Sequence, residues 1–387
     1  MRSPYQDRRA LKPERNRSDG RLALAVRGGA LALCASLCGV PARGADEAAR
    51  RVASAVNGGL AWLAEQQIRQ GPAAGAWPCD NPRYQPATAS LAGLAFLANG
   101  HLPGPEGYGP VVRKAMAYVK GTMAADGYLG QGDHSGMYIH AICSLFGLSY
   151  LGMSPDRAEN REMAAWCAKS LAVIVQAQQV AKKPEERGGW RYTPYTQESD
   201  LSVTSWQLLV LHTARQCGYR IDPVVFEEAL RYVSRAFRTA PGGVAGYLYR
   251  PGVSQEPEAS ITGVALFIRA LLGEPDTGDS AAAQAWLARF PPAWGGRQYG
   301  GYFFFSGFYM TQGMFQIGGP VWEAYGRAME RVLVEQQSGD GQWPFPPDNA
   351  PQGRRAGPAY ATAMAVLMLS LEKQYLPMYQ RQKGMFR

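Results

Sequence analysis

The sequence predicts an all-α protein, a single α6/α6 toroid in which six helical hairpins form a double-layered ring. Three observations support this fold. A unit of about fifty residues recurs six times. The two helices of each unit differ in hydrophobic pattern, and a Gln, Gly and Trp element recurs after the first helix. Six hairpins can close on themselves, which removes the need for the capping repeats of an open solenoid.

Residues 1–44 form a basic leader that differs from the rest of the chain. An apolar run, GGALALCASLCGV, follows Arg27, and small residues in PARGADE offer cleavage after Ala42 or Gly44. A basic segment, an apolar segment and a small-residue cleavage point are typical of an export signal. We therefore predict a leader at 1–44, a toroid domain at 45–387, a secreted or periplasmic location, and no transmembrane segment after cleavage.

The positive charge of the chain lies mostly in this leader. It carries nine Lys or Arg and three acidic residues, so six of the nine formal positive charges leave with it. A mature charge of about +3, without a basic patch, argues against a nucleic-acid partner. Four cysteines remain and none forms a CxxC pair, which argues against a zinc ribbon or a disulfide framework.

The second helix of each unit is apolar on nearly all sides, which predicts a helix buried in an inner layer. These inner helices begin at ATASLAGLAFLANG, GMYIHAICSLFGLSYL, SVTSWQLLVLHTA, SITGVALFIRALLG, GFYMTQGMFQ and AYATAMAVLMLSL. Their alignment places Thr88, Tyr138, Thr204, Thr262, Tyr309 and Thr362 at one position. Unit five is the least regular, because GGRQYGGYFFFSGFYM resembles a loop and leaves a short inner helix.

The first helix of each unit is amphipathic, with apolar residues at i, i+3 and i+4, which predicts an outer layer. Three of these helices end in Gln-Gln and are followed by Gly-X-Trp or Gly-Gly-Trp, which pairs Gln67 with Trp77, Gln179 with Trp190 and Gln337 with Trp343. The Gln amide can bond free carbonyls at the helix end or in the loop. The Trp can cover the helix end while its N–H finds a partner.

These elements resemble the squalene cyclase and protein prenyltransferase superfamily, including prenyltransferase and squalene oxidase repeat proteins. LVEQQSGDGQW matches the Q-x-x-x-G-x-W repeat of that superfamily through Gln337, Gly341 and Trp343. The resemblance covers roughly residues 50–380 and implies an α/α toroid. Its members include class II triterpene cyclases, zinc prenyltransferases and non-catalytic thioester domains, so the resemblance leaves the activity open.

Asp200 is the candidate catalytic residue that the resemblance raises. Class II cyclases protonate an alkene with the middle Asp of a D-x-D-D-T motif, whereas this chain has Asp200, Leu201, Ser202, Val203 and Thr204. Serine is far too weak an acid for that step, and valine has no proton to give. Asp200 stands at a predicted helix N-cap, where backbone N–H bonds favour its charged form. We favour a cap, with a ligand contact and a catalytic acid as alternatives.

Metal and glycan chemistry have weaker support in the sequence. His134, His140 and Cys143 are candidate zinc ligands, because His140 and Cys143 share one helix face. A core cysteine and a histidine at the cavity are the favoured interpretation, and we predict no metal or other cofactor. Glycosidases need paired carboxylates. Five acidic residues fall near predicted loops at one end of the ring, without a defined pair: Asp80, Asp133, Asp200, Glu258 and Asp348.

The aromatic residues suggest a ligand site at that end of the ring, although aromatics also fill ring centres. The predicted residues of this mouth are Tyr84, Asp133, His134, Tyr138, His140, Trp190, Tyr192, Asp200, Thr204, Glu258, Tyr309 and Tyr360. We predict that the mouth binds a hydrophobic small molecule or an extended peptide or protein partner. The alternatives are an active triterpene cyclase or prenyltransferase-like enzyme with an atypical acid, and a glycan-binding or glycan-cleaving ring.

Overall fold

The structure, a computed structural model, describes residues 41–274 and 278–380. The predicted leader lies outside these residues, except for positions 41–44, which stand at the start of the first helix. None of the described helices combines the length and apolar character needed to cross a bilayer.

Outer and inner helices alternate along the chain, as the hydrophobic patterns predict. The outer helices are α1 (Pro41–Gln66), α3 (Gly109–Gly121), α5 (Arg157–Gln178), α7 (Pro223–Arg235), α9 (Gly278–Leu287) and α11 (Gly319–Gln336). The inner helices are α2 (Gln85–Leu97), α4 (Gly136–Tyr150), α6 (Leu201–Gln216), α8 (Ala259–Leu271), α10 (Phe303–Ile317) and α13 (Gly357–Leu369), and a short α12 (Pro351–Arg354) precedes the last of them.

The inner helices contact one another in a closed cycle. Helix α2 packs on α4, α4 on α6, α6 on α8, α8 on α10, α10 on α13, and α13 returns to α2. Each inner helix is also covered by an outer helix, and α1 bridges the ends of the chain by packing on both α13 and α11. The predicted all-α toroid is therefore confirmed, and its apolar inner helices form one continuous core.

The recurrent glutamines join three of the six units to the next one around the ring. The side-chain amides of Gln67, Gln178 and Gln337 each donate two hydrogen bonds, one to a loop glycine carbonyl and one to a carbonyl of the following outer helix. The acceptor pairs are Gly75 and Val111, Gly188 and Val225, and Gly341 and Ala55, at 2.8–3.1 Å. The last pair joins the sixth unit to α1, so the same contact that repeats along the chain also closes the ring.

The sequence alignment assigned this role to Gln179 in the third unit, and that assignment is wrong. In unit three the last helical residue, Gln178, makes both bonds, whereas in units one and six the residue after the helix makes them. The two adjacent glutamines face different directions on a helix, so only one of them can reach the loop.

The recurrent tryptophans act as predicted. Trp77, Trp190 and Trp343 are at most 1% exposed. Their indole N–H groups donate to Leu63, Ile174 and Leu333, all at 2.7 Å, near the ends of the preceding outer helices. Each indole thus satisfies a backbone carbonyl and buries a large apolar surface at the same point.

Units four and five differ from the sequence predictions. A short hairpin, β1 (Phe237–Ala240) paired antiparallel with β2 (Val244–Tyr247), replaces the loop before α8. The inner helix of unit five is not short, because α10 has 15 residues and includes the Phe run. Those phenylalanines pack into the core, so burial rather than glycine content decides the local structure. The hydroxyl that bonds the preceding loop in this unit belongs to Ser306, not Tyr309.

The C-terminal segment closes the end of the ring at which the inner helices finish. Leu376, Met378 and Tyr379 are at most 2% exposed, and the turn containing the last two contacts α4 and α6. The carbonyl oxygen of Gln380 lies 2.7 Å from Nε2 of His212 on α6. The C-terminal turn therefore covers α4 and α6 at this end of the ring.

Candidate functional site

The starts of the inner helices meet at the open end of the ring, which we call the mouth. The backbone N–H of Met137 donates to the carbonyl of Tyr192 at 2.9 Å, and the N–H of Leu201 donates to that of Tyr249 at 3.0 Å. These bonds tie the first turns of α4 and α6 to the loops of the following units. The mouth is therefore built from one helix start and one loop per unit.

Partly exposed aromatic side chains line the mouth, at least one from each of the six units. This aromatic rim consists of Tyr84, Tyr138, Tyr192, Tyr249, Phe305, Phe345 and Tyr360. Ring contacts join its members in two groups. The ring centroid of Tyr138 lies 6.2 Å from those of Tyr192 and Phe305, so these three rings from units two, three and five form one apolar surface. Phe345 stacks on Tyr360 of the same unit, with centroids 6.3 Å apart.

Below the rim, aromatic side chains fill the centre of the ring. Trp206 from α6 stacks on Phe308 from α10 with centroids 6.0 Å apart and an interplanar angle of 5°. Tyr309 meets Trp206 edge-on at 5.4 Å, and all three side chains are at most 1% exposed. Packed rings leave little space between α6 and α10, so the open aromatic surface is confined to the mouth.

Several predicted mouth residues lie below the surface instead of lining it. Trp190, Thr204 and Tyr309 are buried, and the Thr204 hydroxyl accepts the backbone N–H of Trp190 at 3.0 Å. Hydroxyls of Thr262 and Thr362 accept the corresponding N–H groups in units four and six. This aligned position connects the inner helix to its loop, and its burial prevents contact with a ligand.

Asp200 caps α6, as predicted. Its side chain is 0% exposed, and Oδ1 accepts the backbone N–H of Val203 at 2.8 Å and the hydroxyl of Ser202 at 2.6 Å. The second oxygen, Oδ2, lies 3.5 Å from Nη1 of Arg191 and receives no hydrogen bond from the described residues. One carboxylate oxygen is thus fully used by the cap, and the other has only an ion pair.

The expectation that the cap holds Asp200 in its charged form is not supported. Burial raises the pKa of Asp200 above its usual value, against the opposing effects of Ser202, Val203 and Arg191. Removing a carboxylate from water disfavours the charged form more than two short hydrogen bonds and one ion pair favour it. The sequence shows the cap but does not show the depth of burial that reverses the shift.

A chain of alternating charges continues from Asp200 to the neighbouring loop. Arg191 lies 3.2 Å from Glu198, Glu198 lies 3.2 Å from Arg250, and Arg250 lies 3.1 Å from Glu186. The Arg191 guanidinium also covers the Tyr192 ring at 4.5 Å. These pairs fix the loops of units three and four, and with them the positions of Tyr192 and Tyr249 on the rim.

The other predicted carboxylates do not form a catalytic pair with Asp200 through any contact in the described residues. Asp133 is buried and accepts the N–H and hydroxyl of Ser135, at 2.8 and 2.5 Å, just before α4. Glu258 is exposed at the start of α8 and makes no capping bond. His134 is exposed at the rim, with its ring 6.3 Å from that of Tyr192.

The candidate zinc ligands do not assemble into a metal site. His140 is 0% exposed, and its Nδ1 accepts the backbone N–H of Leu129 at 3.2 Å, so Nε2 carries the proton that faces the carbonyl of Ser170 at 3.0 Å. Cys143 is buried in the same helix. No group of three His, Cys, Asp or Glu in the described part of the chain could hold a metal ion.

His140 therefore supports the loop of unit two, and it makes stability depend on pH. Burial lowers the pKa of His140 from 6.5 to about 4. As pH falls from 6.5 towards 4, His140 binds a proton in the unfolded chain but stays neutral in the folded chain, so the free energy of unfolding decreases in that window. We expect His140→Gln, which can keep both bonds, to reduce the stability lost between pH 8 and pH 5 by about 2 kcal/mol.

Urea unfolding of the variant at pH 8 and pH 5 measures this change. His134→Gln is the matched control, because it makes the same chemical change at an exposed side chain. An unchanged pH dependence in His140→Gln would show that the histidine is not held neutral by burial.

A cavity of about 420 Å³ lies on the outer wall, away from the aromatic rim. It opens between the end of α5 and the start of α7, and its lining includes Val175, Lys182, Val224 and Glu228. None of the rim residues lines it. It is a cleft between successive outer helices. The packing of neighbouring hairpins in a ring is enough to explain it.

Five residues of the mouth were not among the predicted site residues: Arg191, Ser202, Tyr249, Phe305 and Phe345. Ser202 was treated only as a lost acid, although it bonds both Asp200 and Tyr138. Tyr249 and Phe305 were visible as aromatics near helix starts. The proximity of Phe305 to Tyr138 depends on α4 and α10 meeting across the ring, which no local pattern in the sequence records.

Comparison with known proteins supports the fold. No family model and no curated protein matches the chain. Among solved structures, a variant of the type II terpene cyclase MstE from Scytonema, in complex with geranylgeranyl dihydroxybenzoate, matches with a TM-score of 0.52 at 14% identity, over 86% of this chain and 99% of that chain.

A variant of the α-1,6-mannanase GH76A from Salegentibacter, in complex with α-1,6-mannotriose, matches with a TM-score of 0.57 at 11% identity, over 84% of this chain and 99% of that chain. At these identities the likeness shows the fold alone, since one fold hosts many activities. The chain therefore has the α/α-toroid fold that a type II terpene cyclase and an α-1,6-mannanase share.

Proposed function

We propose that this toroid binds a hydrophobic, chain-like small molecule on the aromatic rim. The observation that carries the proposal is the contrast between a partly exposed aromatic rim and a ring centre packed with buried aromatics. A contiguous exposed apolar patch rimmed by polar residues is typical of an interaction or ligand site. A ligand can lie across the mouth, whereas the centre is already occupied by Trp206, Phe308 and Tyr309.

The fold supports an isoprenoid as the ligand class. The terpene cyclase that shares the fold carries a geranylgeranyl compound. A prenyl chain is apolar and long enough to contact several rings of the rim at once. The rim joins Tyr138, Tyr192 and Phe305 in one surface, which suits such a chain.

Binding without cyclisation agrees best with the acid groups at the mouth. Asp200 is 0% exposed, and Ser202 and Val203 replace the carboxylates of the cyclase motif. An alkene must reach the proton donor within contact distance for protonation. Asp200 is separated from the rim by Ser202 and Tyr138, which argues against direct proton transfer to a bound hydrocarbon.

Proton-initiated chemistry at Asp200 is the second candidate function. The raised pKa of Asp200 is a property that a proton donor needs. Product analysis after incubation of the full chain with squalene tests it. A cyclised product that disappears in Asp200→Asn would establish the enzyme and replace the binding proposal.

Isothermal titration of the full chain with farnesol tests the binding proposal. We expect binding that Phe305→Ala weakens about tenfold, because about 1.4 kcal/mol of apolar contact is lost. Phe315→Ala is the matched control, since this residue lies on the same helix but packs on Trp322 at 5.1 Å. A parallel titration with mannotetraose tests glycan binding. Binding of mannotetraose without farnesol binding would overturn the isoprenoid proposal in favour of a glycan-binding ring.

We also propose that residues 1–44 direct export of the toroid. The basic residues, the apolar run and the small residues at the cleavage point support this location. The mass of the mature chain recovered outside the cytoplasm tests it, and an intact leader on the recovered chain would contradict it.

A further inference from the structure

A chain of three side chains connects Asp200 to the aromatic rim. Oγ of Ser202 lies 2.6 Å from Oδ1 of Asp200, and the phenol oxygen of Tyr138 lies 2.5 Å from Oγ of Ser202. Asp200 and Ser202 are buried, whereas Tyr138 is partly exposed between Tyr192 and Phe305. The outermost group of the chain is thus a phenol on the surface that the proposed ligand would cover.

A backbone N–H determines which group donates in each of these side-chain hydrogen bonds. Val203 donates to Oδ1 of Asp200, so Oδ1 is an acceptor whether the carboxyl group is ionised or carries a proton on Oδ2. Ser202 therefore gives its one hydroxyl proton to Oδ1. The phenol of Tyr138 must then donate to Oγ of Ser202, because the serine proton is already committed.

The phenol oxygen of Tyr138 is left with acceptor capacity only. Its single proton points to Ser202, and no other donor in the described part of the chain bonds this oxygen. Of its neighbours on the rim, Phe305 has no hydroxyl, and Tyr192 and Tyr249 pair their hydroxyls at 2.7 Å, which uses one of their two protons. A ligand group that meets the phenol oxygen of Tyr138 gains a hydrogen bond from it only by donating one.

We infer that Tyr138 is a specificity-determining residue that accepts a hydrogen bond from a hydroxyl group of the ligand. This inference rests on the proposed function and names its ligand class as isoprenoid alcohols rather than hydrocarbons or ethers. The rings of Tyr192 and Phe305 contact the chain of such a ligand, and the phenol oxygen of Tyr138 receives its hydroxyl proton. Asp200 and Ser202 act as positioning residues, because they hold the phenol proton away from the ligand.

A comparison of farnesol with farnesyl methyl ether tests the inference by calorimetry on the full chain. The two ligands share the prenyl chain, but the ether cannot donate. We expect the wild-type protein to bind farnesol about fivefold more tightly, the effect of one net hydrogen bond. Tyr138→Phe should abolish that preference. Tyr375→Phe, at an exposed tyrosine outside the rim, should retain it.

Ser202→Ala gives a second and independent readout. Without the serine oxygen, the phenol proton of Tyr138 is free to turn towards the ligand, so the variant should bind the ether more tightly than the wild-type protein does. A positioning role thus predicts a gain for one ligand, which a merely structural role would not produce.

The outcomes separate the inference from the proposed function. Equal affinity of the wild-type protein for the alcohol and the ether would overturn the role of Tyr138 while leaving isoprenoid binding in place. A preference that survives in Tyr138→Phe would do the same. Failure of both ligands to bind would instead remove the proposed function on which the inference rests.

Discussion

Gly188→Ala is expected to destabilise the protein by about 4 kcal/mol, although it adds a single methyl group. Gly188 has a φ of +90°, and a Cβ at this position would lie 2.0 Å from the carbonyl oxygen of Glu228 on α7. The left-handed backbone costs a non-glycine residue about 1–3 kcal/mol. Overpacking against a helix backbone costs about 1–3 kcal/mol more. Gly188 allows unit three to approach unit four, where Gln178 joins them.

Gly218→Ala is the matched control for this prediction. Gly218 has nearly the same backbone conformation, with a φ of +86°, but nothing lies within 4 Å of its added methyl group. We expect a loss of about 1 kcal/mol there, from backbone strain alone. Urea unfolding of both variants measures the difference. Equal losses would show that the close approach of the two units contributes nothing beyond the glycine conformation.

Trp343→Ala is expected to destabilise the protein by about 5 kcal/mol. Trp343 is 0% exposed, and its indole N–H satisfies the carbonyl of Leu333 at 2.7 Å. Truncation of a buried tryptophan costs about 3–5 kcal/mol, and the unpaired carbonyl adds to this. The indole also fits against α1 at Gly59, where an added Cβ would meet it at 2.8 Å. The variant therefore loosens the closure between the last unit and the first helix.

Trp322→Ala distinguishes ring closure from the general loss of an indole. Trp322 is partly exposed on α11, where it packs on Phe315 and bonds Glu372 at 3.3 Å. Its removal should cost about 1–2 kcal/mol, because less apolar surface leaves a buried site. Thermal or urea unfolding compares the two variants. A loss at Trp343 no greater than that at Trp322 would contradict the role of Trp343 in closing the ring.

Local periodicity in the sequence was enough to predict the helices and their two layers. Apolar residues on all sides identified α2, α4, α6, α8 and α13 as buried, and amphipathic patterns identified the outer helices. The chemistry of Gln337, Gly341 and Trp343 also followed from residue type, because a helix end needs donors for its free carbonyls. These properties depend on residues a few positions apart, so the sequence contains them directly.

Predictions that depended on the surroundings of a side chain were less successful. Gln178, and not the predicted Gln179, bonds the loop and the next unit, because the direction of a side chain depends on where α5 ends. The Phe run before Gly307 became helical because it is buried, although its neighbouring glycines suggested a loop. His140 bonds the loop of its own unit, a role that neither the zinc hypothesis nor the mouth hypothesis included.

By itself, the sequence determined the six-fold repeat, the alternation of layers, the Trp contacts at the ends of the outer helices and the cap at Asp200, because each of these depends on spacing along the chain. Only the tertiary structure decided which aromatics fill the centre and which remain open at the mouth. It also reversed the expected pKa shift of Asp200 and joined that residue to Tyr138 through Ser202. Burial and the meeting of α4, α6 and α10 across the ring are collective properties of the closed fold, and they arise only when all six units pack together.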